Sequence, residues 1–254
     1  VGAGPIGLEL AQAFGRLGAQ VTVLEAAIPF ATEDPECTAI VLDRLAREKI
    51  AIRAPARILR FEKAGAGIRA VLAAADGKEE EIEGSHLLVA AGRRANVEGL
   101  GLDEAGIKYE RRGITVDKGL KTTNRRVYAI GDVAGGLQFT HAANYHAGLV
   151  IRNALFRLPV FVNDDLVPRV TFTDPELAHA GLTEAQARER HGKISVLRWP
   201  LHENDRAQAE RDTHGHIKIV TTPRGKILGA TIVGTEAGEI VNTWALAIAQ
   251  GMNI

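Results

Sequence analysis

Lysine plus arginine and aspartate plus glutamate number 31 each in the 254-residue chain, so its formal net charge at pH 7 is zero. Such a chain has no global attraction to nucleic acid or to an anionic membrane surface, and we expect neither as a partner. Its length allows one or two domains with their own cores, and its apolar runs are too short to span a bilayer. A single cysteine, Cys37, excludes an internal disulfide and fits a cytoplasmic protein.

The first predicted element is a glycine-rich turn. Residues 1–7 have the spacing G-x-G-x-x-G, and an amphipathic stretch and an alternating strand over 20–25 follow them. In a dinucleotide-binding unit the first two glycines allow a tight turn close to a pyrophosphate, and the third lets the helix pack on the strand. An incidental glycine-rich turn is the alternative interpretation. The predicted pyrophosphate site comprises Gly2, Gly4, Pro5, Ile6 and Gly7.

Glu25, at the end of the predicted strand, indicates which dinucleotide is bound. A carboxylate at this place can accept both ribose hydroxyls of an adenosine. It would repel a 2′-phosphate, for which NADP sites usually supply an arginine, so the sequence favours NAD. Arg16, on the first predicted helix, is the one candidate nearby in sequence that leaves NADP open.

The following residues alternate between short elements. A helix is predicted over 34–48, because Asp34, Pro35 and Glu36 are typical of a helix start. Short strands are predicted over 50–53, 57–62, 67–74 and 79–83. The apolar run 85–90 is predicted to be a buried central strand. These elements indicate a parallel sheet with a small antiparallel crossover.

A second candidate site follows the predicted strand 126–134. That strand ends in Gly131 and Asp132, and after a glycine-containing loop a helix is predicted to begin near Thr140. An acid at a strand end can accept hydroxyl groups of a ligand, and a helix start can donate amides to an electron-rich carbonyl. The alternative is a turn in which Asp132 caps the loop.

The last third of the chain predicts an antiparallel sheet flanked by helices. Strands are expected over 169–173, 194–199, 217–221 and 227–233, and helices over 184–189 and 238–250. We interpret one apolar helix face as domain core, with a subunit contact as the alternative. That face comprises Val241, Trp244, Ala245 and Ile248.

A group of potential metal ligands lies in the same third of the chain. We interpret it as a surface cluster beside a turn, and we predict no metal site. The group comprises His202, Glu203, Asp205, His214 and His216.

Five motifs occur in a characteristic order along the chain: 2–9, 91–96, 128–135, 173–176 with 181–184, and 229–239. With these motifs the chain resembles the pyridine nucleotide-disulfide oxidoreductases, and within them the dihydrolipoamide dehydrogenase and mercuric reductase branch. The resemblance implies an α/β fold with a Rossmann-like NAD-binding domain over 1–93. The second segment of an FAD-binding domain would follow over 94–165, and an incomplete α+β interface domain over 166–254.

The resemblance also implies roles for individual residues. Gly92 would contact the same NAD as the glycine turn, and Glu9 would lie near the nicotinamide, paired with a flavin-side lysine that this chain does not contain. Asp132 would bind the ribityl hydroxyls of FAD. The loop and helix start under the flavin would comprise Gln138, Phe139, Thr140 and His141.

By resemblance, the protein is expected to be a homodimeric NAD(H)-dependent flavoprotein oxidoreductase. NADH and an unidentified electron acceptor would be its partners, with hydride passing from nicotinamide to FAD and on to a disulfide or a small acceptor. The redox cysteine pair and the first FAD motif are expected ahead of Val1, and the family's His-Glu pair beyond Ile254. Cys37 would then be structural. The alternatives are a flavin oxidase or transhydrogenase without a redox disulfide, and a non-catalytic NAD-binding and dimerisation fragment.

Overall fold

The glycine turn leads into helix α1 (Pro5–Arg16), and strand β1 (Thr22–Leu24) follows it, shorter than the predicted strand. Proline fits the first helical position because that position needs no amide hydrogen. This computed structural model describes residues 1–74 and 76–254. In it, residues 1–92 and 168–254 form one compact unit and residues 93–167 form a second.

Helix α2 (Pro35–Arg47) confirms the predicted helix. Its start is fixed by Asp34, whose carboxylate accepts the amide hydrogens of Glu36 and Cys37. Strand β2 (Ala51–Arg53) then pairs in parallel with β1. Apolar side chains of both helices pack against the β1 side chain Val23, including the fully buried Leu8, Val41 and Leu45.

The antiparallel crossover is also confirmed. Strands β3 (Arg57–Ala64), β4 (Gly67–Ala73) and β5 (Glu79–Gly84) form a three-stranded sheet with β4 in the centre. One face of this sheet covers the end of β1, where Leu24, Ala70 and Leu72 are buried.

The prediction of a buried central strand over 85–90 is wrong. This segment belongs to no sheet of the described residues, and Leu88 and Val89 are 41% and 68% exposed. In the described part of the chain its backbone pairs with a single residue, because Val1 donates to Leu88 and accepts from Ala90, both at 2.7 Å. A strand is buried only where neighbouring strands and helices cover it, and one residue covers little.

In the second unit, the predicted strand over 126–134 is replaced by other structure. Tyr128 forms an isolated bridge with Lys121, and residues Gly131–Ala134 form a 3-10 helix. Gly131 has φ +65°, which is incompatible with an extended strand and starts the turn. The unit also contains the short strands β6 (Tyr109–Glu110) and β7 (Gly113–Ile114), and helix α3 (Thr140–Phe156), which begins as predicted.

Residues 168–254 confirm the antiparallel sheet with helices. The strands are β8 (Arg169–Thr171), β9 (Glu176–Gly181), β10 (Ser195–Pro200), β11 (His216–Thr221) and β12 (Ile227–Gly234). Their order is β10-β11-β12-β9-β8. The helices are α4 (Glu184–His191), α5 (Asp205–Glu210) and α6 (Ala237–Ala249). Strand β9 and helix α5 were not predicted.

Helix α6 packs on the sheet through the face predicted to be core. Val241 is fully buried against Ala178 and Ile232, and Trp244, Ala245 and Ile248 pack beside it. The core interpretation of this face is therefore confirmed. Within residues 1–74 and 76–254, no helix has the length and apolar character needed to cross a membrane.

Candidate functional site

Two of the three opening glycines are required by packing inside the protein. Gly2 has φ +98°, and a Cβ atom there would overlap the carbonyl oxygen of Ala90. A Cβ atom on Gly7 would overlap the carbonyl oxygen of Gly2. These contacts hold the turn, helix α1 and the segment ending at Ala90 closely together, as the spacing predicts.

Gly4 lies in a different environment. It is the residue before α1, with φ −80°, and apart from Gly4 and its two chain neighbours no described atom lies within 4 Å of the place where its Cβ would stand. Gly4 has no side chain with which to cap α1, and Ile6 in its first turn is 42% exposed. Amides in the first turn of a helix have no acceptor within the helix. The start of α1 therefore presents open space and unsatisfied donors, which suit an anion.

Glu25 lies directly beside this turn. One carboxylate oxygen accepts from the amide of Ala3 at 2.7 Å and the other from the amide of Ala27 at 2.9 Å. These bonds, that from Ala3 first, lower the pKa of Glu25, so the side chain is anionic. Each oxygen keeps a second lone pair that can accept a ligand hydroxyl. Sequence reasoning missed that the same carboxylate also fixes the glycine turn.

The guanidinium group of Arg16 is already paired with acids. It donates to both carboxylate oxygens of Glu48, at 2.6 and 3.0 Å, and lies 2.5 Å from a carboxylate oxygen of Asp174. Arg16 ends α1, whereas Glu25 contacts the residues that precede that helix. The structure thus gives Arg16 a bridging role between carboxylates at the far end of the helix.

Glu9 and Gly92 complete the predicted NAD residues. Glu9 is half-buried on α1, and one of its oxygens accepts from the backbone amide of Phe172 at 2.8 Å. Gly92 has φ +108°, with open space where a side chain would project. A positive φ of this size favours glycine, so the backbone at this position can face a ligand closely.

In the second unit, Asp132 lies on the 3-10 helix with a half-exposed carboxylate. Arg93 is placed beside it, with a guanidinium nitrogen 4.0 Å from the carboxylate and 2.6 Å from the carbonyl oxygen of Gln138, to which it donates. Arg93 thus contacts both parts of the predicted FAD site, Asp132 and the loop that contains Gln138. It was not singled out from the sequence. Its position after Gly92, in the motif 91–96, was the available signal.

The start of α3 resembles the start of α1 in its chemistry. Phe139 precedes the helix, Thr140 begins it, no side chain caps it, and its first turn contains no acid. His141 stacks on Phe139 with ring centroids 5.2 Å apart. The arrangement offers amide donors and an aromatic surface, which can bind a planar, electron-rich ring.

The predicted surface cluster of histidines and acids is divided by the structure. His202 and Glu203 lie on a 3-10 helix (Leu201–Glu203), whereas His216 is buried, with Nε2 3.4 Å from the Cys37 sulfur and 3.6 Å from Glu36. Burial raises the pKa of the Cys37 thiol, so it stays protonated. Among the described residues, no group of three or more His, Cys, Asp or Glu residues could hold a metal ion.

The fold combines an α/β portion, in which an open helix start lies beside the carboxylate of Glu25, with an α+β portion over residues 168–254. Residues 1–147 match the family described as pyridine nucleotide-disulphide oxidoreductase, and residues 167–254 match the dimerisation domain of that family. The chain belongs to the pyridine nucleotide-disulphide oxidoreductase family, as the resemblance implied.

Curated relatives and solved structures agree with this assignment. A mercuric reductase of Bacillus cereus is 38% identical over 257 residues, which cover 100% of this chain and 41% of that protein. A dihydrolipoyl dehydrogenase of Staphylococcus aureus is 38% identical over 256 residues, which cover 100% of this chain and 54% of that protein. The chain thus spans about half the length of the curated relatives it matches.

Among solved structures, the HOCl-induced flavoprotein disulfide reductase RclA from Escherichia coli has a TM-score of 0.88 and 31% identity to this chain. The similarity covers 100% of this chain and 58% of RclA. LpdA from Mycobacterium tuberculosis has a TM-score of 0.90 and 27% identity, covering 99% of this chain and 55% of LpdA. The fold class expected from the sequence is confirmed.

Proposed function

We propose that this chain is the NAD-binding, partial FAD-binding and dimerisation portion of an NAD(H)-dependent flavoprotein oxidoreductase. One observation carries the proposal: the open, uncapped start of α1 at Gly4, with the anionic Glu25 fixed beside it. When bound, the two cofactors would supply hydride transfer from nicotinamide to flavin, and a disulfide or small acceptor would take the electrons.

The NAD role rests on the fit between these groups and a dinucleotide. Amides at the start of α1 suit the negatively charged pyrophosphate, and the remaining lone pairs of Glu25 suit the adenosine ribose. Glu9 and Gly92 would lie near the nicotinamide half. The pyrophosphate site would comprise Gly2, Gly4, Pro5, Ile6 and Gly7.

The FAD role rests on the second unit. Asp132 presents a half-exposed carboxylate for ribityl hydroxyls, and the uncapped start of α3 would favour negative charge on a reduced flavin. These residues would bind and orient the cofactor. The set comprises Asp132, Gln138, Phe139, Thr140 and His141.

The charges near the turn support NAD over NADP. Glu25 is anionic, and Arg16 is occupied by Glu48 and Asp174 at the other end of α1. A 2′-phosphate against Glu25 would meet repulsion without a compensating cation from Arg16.

Calorimetry with NADH and NADPH tests this proposal. We expect NADH to bind more tightly, and Glu25→Gln to weaken NADH about tenfold while narrowing the difference from NADPH, since hydrogen bonds to a charged group are weakened. Glu210→Gln is the matched control, because it removes an exposed carboxylate on α5 whose partner is Arg206 and should leave the ratio of NADH to NADPH affinity unchanged. Tighter binding of NADPH by the unaltered chain would refute the assignment.

We also propose the domain boundaries, the oligomeric state and the cellular location. The domains would divide at 1–93, 94–165 and 166–254, and the match to a dimerisation domain over 167–254 supports a homodimer. Sedimentation velocity should give twice the mass of one chain, and a monomer at all concentrations would argue against it. A cytoplasmic location is supported by the single, free cysteine, and cell fractionation tests it.

A second candidate function is a non-catalytic module that binds NAD and dimerises. It is favoured by the fact that Cys37, the single cysteine, is buried and unpaired, so this chain alone supplies no redox disulfide. Flavin absorbance in the purified chain, or its appearance on addition of FAD followed by gel filtration, distinguishes the two. Retained flavin supports the oxidoreductase, whereas NADH binding without flavin supports the module.

A further inference from the structure

His146 is a buried side chain that none of the functions above uses. It lies on α3, is 4% exposed, and its Nδ1 accepts the backbone amide hydrogen of Gly131 at 3.1 Å. An imidazole nitrogen that accepts carries no proton, so the neutral ring holds its proton on Nε2. That nitrogen is buried and has no hydrogen-bond partner in the described part of the chain.

Gly131 is held against α3 by more than this bond. Its φ of +65° requires glycine, and a Cβ atom there would lie 2.9 Å from the Cβ of Ala143 on the helix. Three residues earlier, the Tyr128 hydroxyl donates to Asn153 at 2.6 Å, also on α3. The backbone that leads into Asp132 is therefore fixed to one helix by a steric contact and two polar contacts.

The bond from His146 is the polar contact nearest to Asp132, since it binds the amide of the preceding residue. The unpaired Nε2 donor disfavours the folded state, whereas an apolar side chain would leave the buried amide of Gly131 unpaired instead. The imidazole thus carries one unpaired buried donor but accepts the amide hydrogen that orients the peptide of Gly131.

We propose that His146 is a positioning residue for the cofactor site: it holds the Gly131 peptide so that the Asp132 carboxylate faces the ligand hydroxyl groups. The identity of the ligand, a flavin nucleotide with a polyhydroxylated chain, rests on the proposed function. The positioning itself rests on the contacts of His146 and Gly131.

Substitutions separate the acceptor from the bulk of the ring. His146→Asn places an amide oxygen where Nδ1 accepts, His146→Gln places its amide nearer to Nε2, and His146→Leu removes both polar atoms. Tyr128→Phe is the matched control, because it removes another bond between this segment and α3 but keeps the bond to Gly131. Two readouts are measured: hydrogen exchange of the Gly131 amide by NMR without added FAD, and FAD affinity by flavin fluorescence.

For His146→Leu we expect about tenfold faster exchange of the Gly131 amide and about tenfold weaker FAD, from the loss of one hydrogen bond. The melting temperature should change little, since the variant loses the unpaired Nε2 donor but leaves the Gly131 amide unpaired. His146→Asn should stay near the unaltered chain in both readouts, and Tyr128→Phe should leave Gly131 exchange unchanged. If the leucine variant does not fold, the asparagine and glutamine variants decide.

Equal exchange and equal FAD affinity in all the variants at position 146 would overturn the proposal, as would equal losses for asparagine and glutamine. If the unaltered chain binds no FAD, the proposed function fails in that respect. Exchange of the Gly131 amide would still decide whether His146 positions the loop, so the two failures are distinguishable.

Discussion

The three glycines of the opening turn are required for different physical reasons. Gly2 and Gly7 avoid overlap with backbone carbonyl groups, whereas Gly4 has an ordinary φ and no neighbour within 4 Å of an added Cβ. Packing and conformation explain Gly2 and Gly7 but give no reason for a glycine at position 4. A ligand that binds close to the backbone at position 4 would give that reason. The different roles of Gly4 and Gly7 can be measured.

Gly4→Ala and Gly7→Ala should therefore separate binding from stability. Gly4→Ala should change the free energy of unfolding by less than about 1 kcal/mol, since alanine tolerates this conformation, but weaken NADH about tenfold or more. Gly7→Ala should destabilise the chain by about 1–3 kcal/mol or more, because its Cβ meets rigid backbone. Urea unfolding and calorimetry measure the two effects. An NADH affinity unaffected by Gly4→Ala would place the pyrophosphate elsewhere.

The residue scale also shows where sequence reasoning stops. The spacing of the glycines and the strand before Glu25 predicted the turn, because those features are local. The bonds from Ala3 and Ala27 to Glu25, and the pairing of Arg16 with Asp174, depend on how distant segments fold together. No spacing rule gives such contacts.

At the scale of elements, the start of α2 is tied to strand β11 by a buried ion pair. The Nζ atom of Lys218 lies 2.8 Å from Asp34, 3.0 Å from Glu36 and 2.9 Å from Glu184. The side chains of Lys218 and Asp34 are 4% and 2% exposed. Asp34 thus caps its helix while facing a cation from a segment far along the chain.

Lys218→Met should destabilise the chain by about 3–5 kcal/mol, because it leaves the carboxylate of Asp34 buried without a cation. Arg206→Met is the control. It removes an exposed pair with Glu210 on α5, and should cost less than about 1 kcal/mol. Chemical denaturation of both variants measures the difference. Equal effects would mean that the buried pair is no stronger than a surface one.

Element prediction succeeded where local signals were complete and failed where they were not. Helix α2 has Asp34 as its cap and apolar periodicity, and it was found within a residue or two. Strand β9 was missed although it pairs with both β8 and β12, because its Ala and Gly residues lack the bulky signature of a strand. The apolar run 85–90 carried that signature but pairs with no strand among residues 1–74 and 76–254.

Strand β9 also gives a pH prediction through His179. This side chain is 1% exposed, with ring nitrogens 2.8 Å from the Thr231 hydroxyl and 3.0 Å from the Gly181 carbonyl oxygen. Burial, with the nearby Arg169 cation, lowers the pKa of His179 from 6.5 to about 3. Between these values the unfolded chain binds a proton that the folded chain does not. Stability therefore falls as pH drops from 6.5 towards 3.

His179→Gln should remove the contribution of this proton to the pH dependence of the unfolding free energy. The slope of unfolding free energy against pH should decrease by up to about 1.4 kcal/mol per pH unit below pH 6.5, whatever the absolute stability of the variant. His214→Gln, which removes an exposed imidazole near β11, is the control. Urea unfolding at several pH values measures the slopes. An unchanged slope in His179→Gln would mean that this ring is protonated in the folded chain.

At the scale of the whole molecule, the first and last thirds of the chain belong to one unit although about 75 residues separate them in sequence. Ion pairs and hydrogen bonds join them at several points. Lys218 pairs with Asp34, Arg169 with Glu33 at 2.8 Å, and Gln12 exchanges two hydrogen bonds with the Asp174 backbone. The last contact is nearly buried, since Gln12 is 3% exposed.

Because these contacts link the two segments at several points, we expect residues 1–92 and 168–254 to unfold together. In hydrogen exchange followed by mass spectrometry, peptides from α2 and from β11 should share one opening free energy under mild denaturant. Lys218→Met should lower it by the same amount in both, although the substituted residue lies in only one of them. If the variant loosens β11 while α2 keeps its protection, the two segments open independently. The ion pair would then join two separately stable parts of the molecule.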